Sequence, residues 1–274
     1  LCPMNFICQN GEMVPGDRPL FGAANRGFRD GDGVFETARV VKGQLLLAPL
    51  HFNRLFTSLH LLNIHLRSQF TPQILEQNIL QLCQQNGCAA LARVRLAVYR
   101  EEEGSGSYVI EAMALGADIL HLNKEGWRLT VYPLARKSCD AFSNLKSANY
   151  LSYVLAGAYA AEKGADEALV LNTYNNIADG SKTNLFFIKG GAIYTPALTQ
   201  GCVSGVMRLH LIDSLKRLGY VVHQTGVSGE DLSNADEIFC TNAVRGIRWV
   251  RHFNGKEYGN ELTLQIYWQL FSSL

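Results

Sequence analysis

"FSNLKSANYL", residues 142–151, holds one cation, Lys146, in a polar stretch that opens a helix-like segment. The positive end of a helix makes a cation mildly unfavourable there. The lysine is therefore either a solvated surface group or an amine kept for nucleophilic chemistry. Four other features could serve such an amine. Asp179 in "NNIADGSKTNLFF" ends a short apolar stretch before Gly180, Ser181 and Thr183, and alone it reads as a turn acid. "QGCVSGVMRLH" puts small residues just before a helix, whose first N–H groups can hold an anion. "FCTNAVRGI" reads as a strand ending in Thr241 and Asn242, a second place for converging backbone donors. Arg54 follows "PLHF" on an amphipathic helix, where an arginine usually lies on the solvated face. Each residue alone is ordinary.

Other motifs fail on context. Gly31 and Gly33 in "RGFRDGDGVFE" lack the third glycine of a dinucleotide loop and lead into a strand instead of a helix. Glu101, Glu102 and Glu103 precede "GSGS" and read as a solvated hairpin tip. The seven histidines lack metal-binding HxxxH or HExxH spacing and read as packing or surface residues. No metal site is expected. The net charge of +1 leaves no basic surplus for nucleic acid or an anionic membrane surface. The seven scattered cysteines read as reduced thiols of a cytoplasmic protein, and Cys202 as a small packing residue. "LCPMNFICQNGEMVPG" does not read as a signal peptide, and no apolar run has the length of a membrane span.

Strands and helices must position these groups. "FICQNGEMV" and "GDGVFETARVVKGQLLLA" read as hairpins turning at Asn10-Gly11 and Lys42-Gly43. Phe52, Leu55, Phe56, Leu59 and Leu62 recur with helical period. A second helix starts at Thr71-Pro72 and stops at Gly87. In the strand "ARVRLAVYR", Arg93 and Arg95 share one face and Val94, Leu96 and Val98 the other. After a linker come a strand "RLTVYP", a helix over 149–163, the strands "DEALVLN", "TNLFFIK" and "AIYTP", and a helix "SGVMRLHLIDSLKRLG". Strands "YVVHQT" and "DEIFCTN" and an amphipathic helix end the chain. The pattern predicts an α+β protein with domains at 1–116 and 124–274 joined by a linker at 117–123, and it disfavours a doubly wound nucleotide fold.

Together the candidate groups match what pyridoxal phosphate needs: an amine for a Schiff base, a carboxylate for the ring nitrogen, and a cation with N–H donors for the phosphate. The blocks "NRGFRDGDGVFETARV", "HFNRLFTSL", "LKSANYLSYVLAGAYAAEKGADEALVLN", "IADGSKTNLFFIKGGAIYTP", "SGVMR" and "DEIFCTNAVRGI" occur in this order. Their order and spacing, over nearly the whole chain, resemble the class IV aminotransferases, the fold type IV pyridoxal phosphate enzymes. The resemblance implies a D-amino acid aminotransferase-like fold: a small α/β domain, a larger pseudo-barrel domain, the cofactor between them, and a homodimer.

By the same resemblance Lys146 is the Schiff-base lysine and Arg54 the phosphate-binding arginine. Asp179 falls where the family usually has glutamate at the pyridine nitrogen. Val206 and Met207 match the residues whose amides face the phosphate, and Asn242 and Ala243 match a second phosphate turn. Tyr150 matches a tyrosine near the cofactor's phenolic oxygen. Threonines are frequent in the family at the positions of Met207 and Ala243, so only backbone contacts carry over there.

"GDGVFETARV" and "TNAVRGI" look more like 4-amino-4-deoxychorismate lyase, an enzyme of folate biosynthesis, than like branched-chain aminotransferases. The resemblance thus implies a lyase acting on a small-molecule amino substrate, with a branched-chain or related aminotransferase as the alternative and a non-enzymatic relic disfavoured. The segment after "LAVYR" has acids, glycines and serines where D-amino acid aminotransferases grip the substrate carboxylate, and Phe35 replaces their tyrosine. Arg100 and Arg245 are candidates for that carboxylate by charge.

Overall fold

A computed structural model of the chain describes residues 5–271, so Cys2 lies outside the described residues. The chain divides into two units. One holds the residues up to Ile119 together with Lys146–Asn149; the other holds Leu120–Leu145 and the residues from Tyr150 onward.

The first unit opens with β1 (Phe6–Gln9) and β2 (Glu12–Pro15), joined through Asn10 and Gly11, both at positive φ, as two-residue hairpin turns require. Next come α1 (Arg26–Asp30), β3 (Gly33–Val41), β4 (Gln44–Leu45), α2 (Ala48–Leu61) and β5 (His65–Leu66). α3 (Pro72–Gln85), β6 (Leu91–Arg100) and β7 (Ser105–Ala114) follow. The sheet runs β2-β1-β7-β6-β3-β4, with β5 beside β7. Thr71 caps α3 by accepting from the Ile74 N–H, as its sequence predicts. Val94, Leu96 and Val98 of β6 are buried in one core with Leu55 and Leu59 of α2 and Leu75, Ile79 and Leu82 of α3. Each such side chain contributes about 1.5–3 kcal/mol. The strand's period of two leaves Arg93 and Arg95 on the other face.

The second unit contains β8 (Trp127–Lys137), α4 (Leu151–Glu162), β9 (Glu167–Asn172), β10 (Ile177–Gly180), β11 (Asn184–Lys189) and β12 (Ala192–Pro196). α5 (Val206–Arg217), β13 (Val222–Thr225), α6 (Gly229–Ser233), β14 (Glu237–Asn242), β15 (Gly246–Phe253), β16 (Lys256–Glu257) and α7 (Glu261–Phe271) complete it. The sheet order is β10-β9-β8-β15-β14-β11-β12-β13, with β16 beside β15, and the sheet curls into a half-barrel. Leu169, Ile177, Leu185, Ile238 and Val250 lie in its core.

Three local expectations change. Asp179 is not a turn acid: it lies inside β10, 2% exposed, opposite Val170. A register shift between Ile177 and Asp179 breaks the alternation that would have marked this short strand. β15 has no counterpart in the expected elements. Lys146 does not open a helix, because α4 starts at Leu151 with Tyr150 as its N-cap. Lys146–Asn149 instead run alongside β3: Phe35 N–H donates to the Lys146 carbonyl, Ala148 N–H donates to that of Gly33, and Val34 bridges Ser147.

Candidate functional site

In the first unit the Lys146 amine rests over the ring of Phe35, with Nζ 4.4 Å from the centroid. The same ring carries the Arg95 guanidinium, its Cζ at 4.8 Å. Arg95 reaches this ring because Thr37 is its cross-strand partner and Phe35, two residues away, shares the Thr37 face. Glu111 on β7 lies 3.6 Å from the Arg95 guanidinium. Two cationic side chains thus rest on Phe35, on a sheet face free of the helical core, with Glu111 beside one of them.

Arg54 is not on a solvated face. Its Nε donates to Glu36 Oε1 at 2.7 Å, and a second guanidinium nitrogen donates to Oε2. His51, one helical turn earlier on α2, donates from Nδ1 to the same Oε2 at 2.6 Å. Burial pushes the Glu36 carboxyl up, but attraction to Arg54 and hydrogen bonds from His51 and Arg54 prevail and bring it down to about 2. The carboxylate holds Arg54 by a fork, which fixes the direction of its remaining donors. Glu36 and His51 escape a sequence reading because their pairing joins a strand to a helix across the chain.

In the second unit Asp179 sits among four donors. Oδ1 accepts from Asn184 Nδ2 at 2.8 Å. Oδ2 accepts from Tyr153 Oη–H at 2.8 Å, from the Val203 N–H at 2.7 Å and from Lys137 Nζ at 3.5 Å. Burial raises the Asp179 pKa; the charge of Lys137 and these hydrogen bonds oppose it, and the net shift is upward. Beyond Asp179, the turn is anchored by Glu167, which is fully buried. Glu167 accepts from Ser181 N–H and Oγ–H through one oxygen and from Thr183 Oγ1 through the other. The anchored turn presents the Ser181 carbonyl to Tyr150 Oη at 3.3 Å.

Val206 and Met207 are the first two residues of α5, whose N-cap, Gly205, has no side-chain cap bond. The helical backbone ladder starts with Leu209 N–H to Gly205 C=O, so the earlier N–H groups are the orphan donors of a helix start. A β-carbon at Gly205 would run into the Asn184 side-chain oxygen, so close approach demands glycine here. Asn242 ends β14 and shapes its turn: its Oδ1 accepts from the N–H groups of Val244 and Arg245. Ala243 lies within that turn.

The two arginines expected to meet a substrate carboxylate differ in availability. Arg100 donates to Asp32 Oδ2 at 2.8 Å and to the carbonyls of Leu62 and Asn63, each at 2.7 Å. Its fork is committed to holding loops of the first unit, a structural role. Arg245 is exposed, with its guanidinium 6.0 Å from the Trp127 ring centroid. Arg95, whose sequence signature is only a strand face, shares the Phe35 ring with Lys146. The six described cysteines are free thiols. Cys202 is buried, and burial pushes it up to about 12, which suits a packing residue.

The donor set fits pyridoxal phosphate: a buried carboxylate, an amine on an aromatic face, an anchored guanidinium and an uncapped helix start. The family model described as "Amino-transferase class IV" matches residues 33–253. The chain is 28% identical over 265 residues to the aminodeoxychorismate lyase of Bacillus subtilis (strain 168), covering 93% of this chain and 89% of that one. It is 26% identical over 244 residues to a branched-chain-amino-acid aminotransferase of Pseudomonas aeruginosa, covering 84% and 78%. Among solved structures, the T.th. branched-chain amino acid aminotransferase complexed with N-(5'-phosphopyridoxyl)-L-glutamate superposes with a TM-score of 0.86 at 25% identity, covering 96% of this chain and 91% of that one.

Proposed function

The chain belongs to the class IV aminotransferases and is a pyridoxal-phosphate-dependent enzyme, and on that premise we propose that it is an aminodeoxychorismate lyase. The observation that carries this reading is the Phe35 ring, which bears the Lys146 amine and the Arg95 guanidinium together. Arg93 follows on the same strand face. A substrate with one amine and two carboxylates suits this cationic face better than a branched apolar side chain does. The B. subtilis relative supports the same reading along most of the chain.

In this reading Lys146 is the catalytic amine, Asp179 faces the ring nitrogen, and Tyr150 faces the phenolic oxygen. Arg54, with the N–H groups of Val206, Met207 and the Asn242-Ala243 turn, holds the phosphate. Bound cofactor supplies an electron sink. Lys146 removes the proton from the ring carbon that bears the substrate amine. The ether bond then breaks, the six-membered ring becomes aromatic, and the departing enolpyruvyl group takes up a proton to leave as pyruvate. Arg95 orients the substrate through a carboxylate.

A second reading, amino-acid transamination, draws on the two branched-chain aminotransferases, from P. aeruginosa and T.th., and uses the same lysine to move a proton from the substrate α-carbon. One experiment separates them. Purified enzyme is given 4-amino-4-deoxychorismate and assayed for 4-aminobenzoate; it is separately given leucine or alanine with 2-oxoglutarate and assayed for glutamate. The expected product is 4-aminobenzoate. Glutamate without 4-aminobenzoate rejects the lyase in favour of the transaminase.

The working unit in this proposal is a homodimer in the cytoplasm. Leu151, Val154 and Leu155 are 70%, 59% and 45% exposed on α4, an apolar patch suited to a second copy. Among the described residues, no helix is long and apolar enough to cross a membrane.

A further inference from the structure

Lys137 ends β8, where it pairs with Asn172 of β9. Its side chain is 11% exposed, and its Nζ lies 3.5 Å from Asp179 Oδ2 and 5.1 Å from the centre of the Tyr153 ring. Burying an ammonium carries a heavy desolvation penalty unless an opposite charge compensates it. The partner is in place, because Asp179 is itself 2% exposed. The remaining donors to Asp179 are neutral: the Val203 amide, the Asn184 amide and the Tyr153 hydroxyl. Tyr153 and Cys202, which also interact electrostatically with Asp179, are both pushed up by burial and stay uncharged. The positive charge at Asp179 therefore comes from Lys137.

We propose that Lys137 is a positioning residue for the cofactor ring: its ammonium keeps the buried Asp179 ionised, and the ionised carboxylate holds the ring nitrogen protonated. This rests on the reading of Asp179 as the ring-nitrogen partner. The logic is that of a three-charge row. A neutral aspartic acid can offer the ring nitrogen a hydrogen bond but cannot stabilise a positive charge on it. A carboxylate stripped of water ionises only if something other than water compensates it. The hydrogen bonds from Tyr153, Asn184 and Val203 do part of this and fix the direction of the carboxylate, while Lys137 contributes a full charge.

The test uses holoenzyme loaded with pyridoxal phosphate labelled with 15N in its ring, whose chemical shift reports protonation of the ring nitrogen. K137M and K137Q are expected to move the shift toward neutral pyridine and to weaken cofactor binding about tenfold in a fluorescence titration of apo-protein, a loss of one charge-assisted contact. K137R is expected to keep the wild-type shift. D179N serves as the reference: a shift unchanged by D179N rejects the Asp179 reading itself, whereas a D179N change without any K137M or K137Q change rejects only the role of Lys137. Infrared spectra of wild-type apo-protein with 13C-labelled aspartate, differenced against D179N, read the carboxylate without any Lys137 variant having to fold. An ionised carboxylate band at neutral pH is expected; a carboxylic acid band overturns the proposal.

Discussion

Lys146 is tied to Phe35 twice: its carbonyl accepts the Phe35 N–H at 2.9 Å, and its ammonium lies 4.4 Å over the Phe35 ring. Backbone and side chain together set both the position and the direction of the amine. Replacing Lys146 by Ala should leave folding intact, abolish the cofactor's visible colour, and lower turnover by about 10²–10⁴-fold or more. Borohydride treatment of the wild-type holoenzyme followed by peptide mapping should place the label on Lys146. A label on another lysine would overturn the assignment.

The Glu36 fork predicts a stability effect. Its folded pKa, about 2, lies below the ordinary value of 4.5. The group therefore stabilises the fold above the ordinary value, and that contribution fades as pH falls toward 2. E36Q leaves Arg54 and His51 without their anion and should cost about 3–5 kcal/mol. Urea melts from neutral pH down to about 2 should show the wild type and E36Q converging in stability at the acid end; parallel curves contradict the ion pair.

Asp179 has the opposite sign. Its pKa is raised on folding, so the folded state binds the proton more tightly, and the group's contribution falls as pH rises from the unfolded value through the folded one. As pH rises over that window, the stability difference between D179N and wild type should shift in favour of D179N, as read by thermal melts of apo-protein. Turnover of the loaded variant should fall about 10²-fold or more, and near-normal rates would refute the assigned role.

Arg95 and Arg100 should separate cleanly. R95L should raise KM roughly 10- to 100-fold, the loss of a charge-assisted contact, with little change in melting temperature. R100A breaks bonds to Asp32 and two carbonyls and should cost about 1–3 kcal/mol of stability, with KM nearly unchanged. Steady-state kinetics and thermal melts on both variants decide the matter; the reverse pattern would return Arg100 to the substrate.

Gly205 predicts a packing effect at the helix start. G205A should displace Asn184, loosen its hold on Asp179, and cost about 1–3 kcal/mol. The same variant should weaken cofactor binding in a titration; unchanged affinity and stability would mean that the asparagine yields freely.

The hairpin at Asn10-Gly11, the Thr71 cap and the two faces of β6 are legible in the sequence because each rests on neighbours in the chain or on a period. Asp179 is visible as a candidate through its place in an ordered set of blocks, yet its strand is not, since β10 is short and its register shift hides the alternation. The partners of the site groups are the least legible. Glu36 with Arg54, Lys137 with Asp179, and Glu167 with the Ser181 turn all join residues that only tertiary folding brings together. A charged residue next to no visible partner reads as solvated until the partner arrives from another element.

The first unit is discontinuous in the chain. Four residues, Lys146–Asn149, belong to it, while the residues on either side of them belong to the second unit. They lie against β3 through the Phe35 and Ala148 backbone bonds. A fragment ending at Ile119 would thus carry Phe35 and Arg95 but not the amine that shares the Phe35 ring. Neither unit can be inherited or exchanged as an independent module with its chemistry intact. Recombination between relatives that cuts at the boundary after Ile119 pairs one parent's Phe35 with the other parent's lysine. Chimeras of that kind succeed only where the two parents agree on how that lysine segment sits along β3.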